Sequence, residues 1–343
     1  MDGHVTIKTI AKNTNFSLTT VSRVLNGTSE KHRISKTTQK IILEEAKKLG
    51  YIPNMAAKTL RSNRSHTVGL IVPSLSNPFF SIVASTVSKM LHNQGYVVLM
   101  SDSDNNEKEE RKMLQALQAQ NLVGLIAIPL GKRQNYELLN QSTIPTVFID
   151  RFFSDFSFYS VSTDHYKSSF QLVEHLIEMG HRKIACIQGD EHVISNTYRV
   201  DGYREALKVH GLTYQYLGGV SFTEEEGYLE TKLLLQKKDR PTAILALSDT
   251  ILLGVLKALK EAKISVPEEV SVVSFDNSSY LDFLEVPVTS IAQPITQIAQ
   301  LAVRLLLEQI DDKGLSYREE SERIILLDST LIFRSSVADL RNR

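Results

Sequence analysis

From residue 67 onward, short and strongly apolar runs alternate with amphipathic stretches of helical period, a pattern that few folds accept. The apolar runs fall at 68–72, 96–100, 123–128 and 146–149, with helical stretches near 79–94, 107–120 and 134–140 between them. A second set opens with a helix near 166–179 and the run 183–187. Helices near 198–210 and 224–235, the run 243–247, a helix near 250–262 and the run 271–275 complete it. Short apolar runs without polar alternation are strands covered on both faces, so each set predicts a parallel sheet sandwiched by helices. Two such sets predict two Rossmann-like subdomains facing across a cleft.

In open α/β sheets, ligands sit at the carboxyl ends of the strands. The polar and aromatic residues that fall there are Phe79 and Phe80, Asp150 and Arg151, Asp249, and Asp276. Ser195, Arg199 and Phe222 join them from loops and helix starts. Each alone is a common turn former or cap. Together they place carboxylates, guanidinium groups and rings on matching strand ends, as a site for a hydroxylated ligand would need. Arg151, next to Asp150, also offers a partner to a phosphate or carboxylate.

Ahead of this body lies a different kind of sequence. Residues 6–26, TIKTIAKNTNFSLTTVSRVLN, predict two brief helices joined by a tight turn, the first capped by Thr6 and the second by Ser17. Leu18, Val21, Val24 and Leu25 share one face of the second helix by spacing, leaving Thr19, Thr20, Ser22, Arg23 and Asn26 on the other. A helical bundle would show the same apolar stripe. An Arg and several hydroxyls on the opposite face also suit base edges in a major groove, which makes this a candidate helix-turn-helix with a recognition helix. A third helix, capped by Ser35, would carry Ile41, Ile42, Ala46 and Leu49 and stop at Gly50.

The formal net charge is zero, yet residues 1–64 hold twelve Lys and Arg against four Asp and Glu, a net of +8. With 39 of each sign overall, the rest of the chain carries −8. A basic head on an acidic body suits phosphate binding by the head alone. A hydrophobic fraction of 42% places the chain among globular proteins, and no apolar run reaches membrane-span length, so no membrane partner is expected. The segment MDGHVTIK lacks the apolar core of a signal peptide, and the single Cys186 lies in an apolar run, so the expected location is the reducing cytoplasm, in association with the nucleoid. No dinucleotide fingerprint, Walker loop, nucleophile elbow or paired-His metal helix is present, so neither an enzyme, a cofactor nor a metal is expected.

The runs TIKTIAKNTNFSLTTVSRVLNG and GYIPNMAAKTLRSNRSHTVGLIVPSLSNPFF are similar to the opening of LacI/GalR-family transcriptional regulators. The resemblance continues through NLVGLIAIP, HLIEMGHRKIACIQG, YRVDGYREAL, RPTAILALSD, VPEEVSVVSFDN and TSIAQP, which spans nearly the whole chain. Two departures are Asn15 in the helix-helix turn, where the family has Gly, and a longer connection from Gly27 to Arg33. The resemblance implies an all-α helix-turn-helix head in 1–52, a hinge helix and linker in 53–65, and a periplasmic-binding-protein-like α/β core in 66–343. It further implies three crossings between subdomains, near Thr163, Gln293 and Ile324. One subdomain would take 66–163 and 293–323, the other 164–291 and 324–343.

By the same resemblance, Arg33, Tyr51, Asn54, Ala57 and Lys58 join the second helix as DNA contacts, and Leu60 is the minor-groove wedge. Asp150, Arg199, Phe222, Asp276 and Gln293 match positions that contact the effector. The expected protein is a homodimeric repressor of carbohydrate-utilisation genes. It would bind a palindromic operator and answer to a sugar or sugar derivative, an anionic one included. The alternatives are a nucleobase or protein co-regulator as effector, and a solute-binding protein, which a basic head and the missing signal peptide disfavour.

Overall fold

Thr6 and Ser17 set where the first two helices begin. In the computed structural model, which describes residues 5–51, 65–140, 142–311 and 323–341, each side chain caps a helix. The Thr6 hydroxyl accepts from the Thr9 amide, and the Ser17 hydroxyl from the Thr20 amide at 3.0 Å. The helices are α1 (Ile7–Thr14), α2 (Leu18–Leu25) and α3 (Lys36–Lys48). Asn15 ends α1 at φ 56°, a left-handed conformation that a short polar side chain tolerates, so its place in the turn needs no glycine. Ile10, Val21, Val24, Ile42 and Ala46 form the core of this small unit, with Phe16 and Tyr51 packed against it. Fully burying each of the three largest contributes roughly 1.5–3 kcal/mol.

Three positions depart from the predicted helical faces. Leu18, placed on the apolar stripe by spacing, is 48% exposed, because as the first residue of α2 it projects past the neighbouring helices. Ser22, placed on the polar face, is buried, and the Asn26 amide folds back onto its hydroxyl and carbonyl. Ile41 is likewise exposed rather than part of the core.

The chain divides into two units, Met1–Ser65 and His66–Arg343. The larger unit holds two six-stranded sheets. The first runs in the order β11-β5-β4-β3-β1-β2, with β1 (Thr67–Val72), β2 (Val97–Asp102), β3 (Gly124–Ala127), β4 (Thr146–Ile149), β5 (Tyr159–Thr163) and β11 (Ile324–Leu327) all parallel. Its helices are α4 (Pro78–Asn93), α5 (Glu107–Gln118), α6 (Arg133–Asn140) and the late-returning α11 (Ile295–Ile310). Closeness of α11 to the sheet explains Gly124: a Cβ there would meet Leu306 at 2.9 Å.

The second sheet runs β12-β10-β9-β8-β6-β7, formed by β6 (Ile184–Ile187), β7 (Tyr216–Gly218), β8 (Ala243–Ala246), β9 (Ser271–Phe275), β10 (Thr289–Ala292) and β12 (Thr330–Ile332). It is parallel except for β12, which pairs antiparallel with β10 at the edge. Helices α7 (His165–Glu178), α8 (Ile194–Val209), α9 (Glu224–Gln236) and α10 (Asp249–Glu261) cover it. Cys186 is a buried free thiol on β6.

The chain passes between subdomains after Thr163 and at Gln293, near the expected places. The third crossing is later than expected. Residues 324–327 form β11 in the first sheet, so the chain crosses at Asp328–Ser329 and not near Ile324. Lys167 holds Asp328 at 2.8 Å, and Ser168 meets the Ser329 hydroxyl at 2.6 Å, which fixes that polar step.

Candidate functional site

The head presents its chemistry on α2 and on surrounding cations. Leu18 and Thr19 are exposed at the start of α2, Thr20 and Arg23 are half-buried, and Asn26 is exposed at its end. Lys8, Lys12, Lys31, Arg33, Lys36, Lys40, Lys47 and Lys48 are all exposed around that helix bundle. Tyr51 is partly buried against the head core. Asn54, Ala57, Lys58 and Leu60 lie outside the described residues. Short polar side chains, an Arg and an exposed apolar Leu at one helix N-terminus match donors, acceptors and thymine methyls in a major groove, while the surrounding cations match phosphates. Ser22 is 9% exposed, with its hydroxyl and carbonyl accepting from the Asn26 amide.

In the larger unit the carboxyl ends of the two sheets enclose a cleft cavity of about 490 Å³. Phe79, Phe80, Asp150, Arg151, Ser195, Arg199, Phe222 and Asp276 line it, as expected from their strand-end positions. Asp249 and Gln293 do not. Asp249 is buried in the floor, where its Oδ2 accepts from the Ser278 hydroxyl. Gln293 stands behind Asp276, donating to its Oδ1 at 2.6 Å while accepting from the Thr163 hydroxyl at 2.7 Å. It therefore links the first crossing to the second rather than facing the cavity. Ser74, Ser76, Asn77, Asp190 and Glu224 also line the cleft and were not singled out from sequence, where nothing separates them from ordinary loop and cap residues.

Local backbone explains the aim of the carboxylates. Asp150 and Asp276 follow β4 and β9 at φ 64° and 69°, left-handed conformations that turn each side chain off its strand end. Asp150 accepts from His165 Nε2 at 3.1 Å and lies 3.7 Å from Arg151. Arg151 donates to the Pro129 carbonyl at 3.2 Å and lies over the Phe80 ring at 5.2 Å. Arg199 donates from Nε to His165 Nδ1 at 3.3 Å and from Nη1 to the Leu247 carbonyl at 2.7 Å, with its guanidinium 4.2 Å from the Phe275 ring centre. Phe222 lies flat on Gly189, where a Cβ would come within 2.4 Å of the ring, so only glycine leaves room for this platform.

The protonation states follow from this packing. Burial works to raise the Asp150 pKa, but the bond from His165 and the nearby Arg199 and Arg151 outweigh it, and the group stays below the usual carboxylate range. Burial lowers the His165 pKa, and Arg199 lowers it further. Asp249 is raised by burial. Asp276 is raised to about 7, first by burial and then by the charges of Asp249 and Asp150 acting against the relief from Arg199. Of these two lining carboxyl groups, Asp150 is thus held in its charged form and Asp276 is pushed up toward neutrality. Among the described residues no cluster of metal-ligating side chains occurs, and no helix is long and apolar enough to cross a membrane.

Comparison with known proteins agrees with both halves. Residues 6–54 match bacterial regulatory proteins of the lacI family, and residues 173–337 match the periplasmic binding protein-like domain. The HTH-type transcriptional repressor CytR of Escherichia coli strain K12 is 30% identical over 340 residues, 98% of this chain and 97% of that protein. The Lac repressor dimer bound to operator and the anti-inducer ONPF has the same fold, at TM-score 0.87 and 24% identity over 98% of this chain and 100% of that one. The transcriptional regulator CelR in complex with cellobiose gives TM-score 0.72 at 27% identity, covering 97% and 99% of the two chains. The chain belongs to the lacI family of bacterial regulatory proteins. It is a DNA-binding transcriptional regulator with an effector-binding core, and not an enzyme.

Proposed function

We propose that this regulator is a repressor of carbohydrate-utilisation genes that binds a palindromic operator as a homodimer, in the cytoplasm, and answers to an uncharged, hydroxyl-rich sugar in the cleft. The observation that carries the ligand class is the excess of carboxylates over cations in the lining. Asp150, Asp190, Glu224 and Asp276 line the cavity against two cations, Arg151 and Arg199. Both cations have carbonyl, ring or imidazole partners, although the buried Arg151 Nε has no hydrogen-bond partner among the described residues. Each carboxylate likewise holds one partner, from His165, the His192 amide, Lys257 and Gln293 respectively. A carboxylate has more acceptor sites than one partner fills, so four of them leave the lining rich in acceptors, which suits ligand hydroxyls as donors, while Phe79, Phe80 and Phe222 offer faces for a sugar ring. An anion would meet a net negative lining and is the poorer fit. CelR, whose structure contains cellobiose, supports the same class.

A screen of the full-length protein by thermal shift, with cellobiose and other neutral sugars, sugar phosphates, sugar acids and nucleobases, tests this directly. At about a hundred times its dissociation constant a neutral sugar should stabilise the fold by ~2.7 kcal/mol. A response confined to phosphates, acids or nucleobases would overturn the ligand class.

A dimer is supported by the palindrome logic of a single small reading head and by the surface of the core. Edge strand β2 exposes Val97 at 58%, together with Leu99 and Met100, an unpaired apolar edge that a second copy would cover. Sedimentation at micromolar concentration should show twice the chain mass of 38.6 kDa, and a monomer would exclude this assembly.

On DNA, Arg23→Ala should weaken operator binding by about 1–3 kcal/mol and relax preference at one base position. Equal weakening on every sequence would instead make Arg23 a phosphate contact.

A further inference from the structure

We propose that His165 is a positioning residue of the effector site, a neutral imidazole protonated on Nε2 that aims the Arg199 guanidinium and ties it to the first subdomain. His165 is the first residue of α7, immediately past the crossing at Thr163, and is buried. Asp164 caps that helix by accepting from the Lys167 amide at 2.9 Å, so the backbone that carries the imidazole is pinned. One ring nitrogen meets Asp150, which follows β4 of the first subdomain. The other meets Arg199, on α8 of the second. The Phe275 ring lies 6.1 Å from the imidazole centre and also faces the Arg199 guanidinium, which closes the remaining side.

The two partners leave one protonation form. Asp150 as a carboxylate only accepts, so Nε2 must carry a proton. Arg199 Nε only donates, so Nδ1 must carry a lone pair. The opposite tautomer would break both bonds at once, setting lone pair against carboxylate and N–H against N–H. The imidazolium would keep the Asp150 bond and lose the Arg199 bond, placing two positive donors face to face. The charged groups around the ring are Asp150 and Arg151 after β4, Asp164 before α7, and Arg199 on α8. Burial and Arg199 hold the imidazole below its ordinary pKa, in accord with the neutral form.

A consequence follows for control. With Nε and Nη1 held by His165 and Leu247, the rest of the Arg199 guanidinium keeps one orientation in the cleft. A shift of one subdomain against the other moves Asp150 relative to Arg199 and is felt through His165. This consequence rests on the effector reading, because it needs Arg199 to face a ligand.

The test is nitrogen NMR of the full-length protein, with the His165 ring assigned by its loss in His165→Gln and His165→Phe. The expected spectrum shows an Nε2–H tautomer that does not titrate between pH 6 and 8. An Nδ1–H tautomer, or a ring titrating near its ordinary value, would overturn the proposal. Hydrogen exchange at Arg199 Nε supplies the second readout. It should be about tenfold faster in His165→Phe, the factor one hydrogen bond is worth, and recover in His165→Gln, whose amide both donates and accepts. A merely structural role would lower the melting temperature of His165→Phe and leave Arg199 exchange unchanged, which would also overturn it. If no sugar shifts wild-type melting, the effector reading fails, while the ring spectrum still decides this inference.

Discussion

Replacing Arg199 by alanine should destabilise the larger unit by about 3–5 kcal/mol and abolish ligand control of DNA binding, while the head retains its own affinity for operator half-sites. The magnitude comes from what is left behind. Arg199 favours the ionised forms of Asp150, Asp249 and Asp276, all of them buried, and shares that role with His165 and Arg151 at Asp150. Without it, three buried carboxyl groups remain with Arg151 as the nearest guanidinium, and the Leu247 carbonyl and His165 Nδ1 lose their donor. Ionising those acids becomes harder, so the loss should be larger at pH 8 than at pH 5. Chemical denaturation at the two pH values reads both. Intact ligand control in Arg199→Ala would remove this residue from the site.

Replacing Asp276 by asparagine should have the opposite effect on stability. Its folded pKa of about 7 lies above its ordinary value of 3.8. A raised acid binds more protons when folded than unfolded between those values. Its stabilising contribution is therefore complete below about pH 4 and is lost as pH rises through 7. Above pH 7 the folded site must ionise a buried acid beside Asp249 and Asp150. Asparagine keeps the shape and still accepts from Gln293, but removes that cost. Three pKa units bound the gain at ~4 kcal/mol, and with relaxation of the site we expect about 2 kcal/mol at pH 8, fading toward pH 4. Asp150 acts with the other sign: its lowered pKa gives stability that is present above its ordinary pKa and lost on acidification. Sugar affinity should fall in Asp276→Asn even as the fold gains stability, since a charge-assisted bond worth about 1.5–3 kcal/mol becomes neutral. Unfolding curves from pH 5 to 8 that run parallel for variant and wild type would contradict the assignment.

Both effects turn on residues whose neighbourhood only the folded chain reveals. Strand-end logic placed Asp150 and Asp276 in the cleft, because apolar runs such as 146–149 and 271–275 announce where a parallel strand stops, whereas Arg199 and Phe222, on a helix and a loop, were legible through the family resemblance. It could not tell Asp276, which faces the cavity, from Asp249, which turns under Ser278, since both follow apolar strands with the same chemistry. His165 was invisible for a different reason. A single histidine at a helix start carries no pattern, and its meaning lies in Asp150 and Arg199, fifteen and thirty-four positions away.

Strands β5 and β10 escaped because Ser160, Ser162 and Ser290 interrupt the apolar run. Such hydroxyls are tolerated inside when they find acceptors, as Ser162 does at the Asp150 carbonyl, 2.7 Å away. The tail 324–343 was expected whole in the second subdomain, although Asp328 and Ser329 divide its two strands between the two sheets. In the head, Ser17, Val21 and Ile42 took their expected places, whereas helical spacing misassigned Leu18 and Ser22. Spacing gives an angle around the axis but not the position of the neighbouring helices along it.

The most direct test of a ligand-controlled operator-binding regulator is selection of DNA from a random duplex pool by the full-length protein, repeated with the neutral sugar that stabilises it. A palindromic consensus is expected, bound with a salt dependence that reflects several phosphate contacts and with an affinity that changes by about 5–150-fold when the sugar is added. A selected pool without two-fold symmetry, or an affinity unmoved by a sugar that binds the cleft, would contradict it.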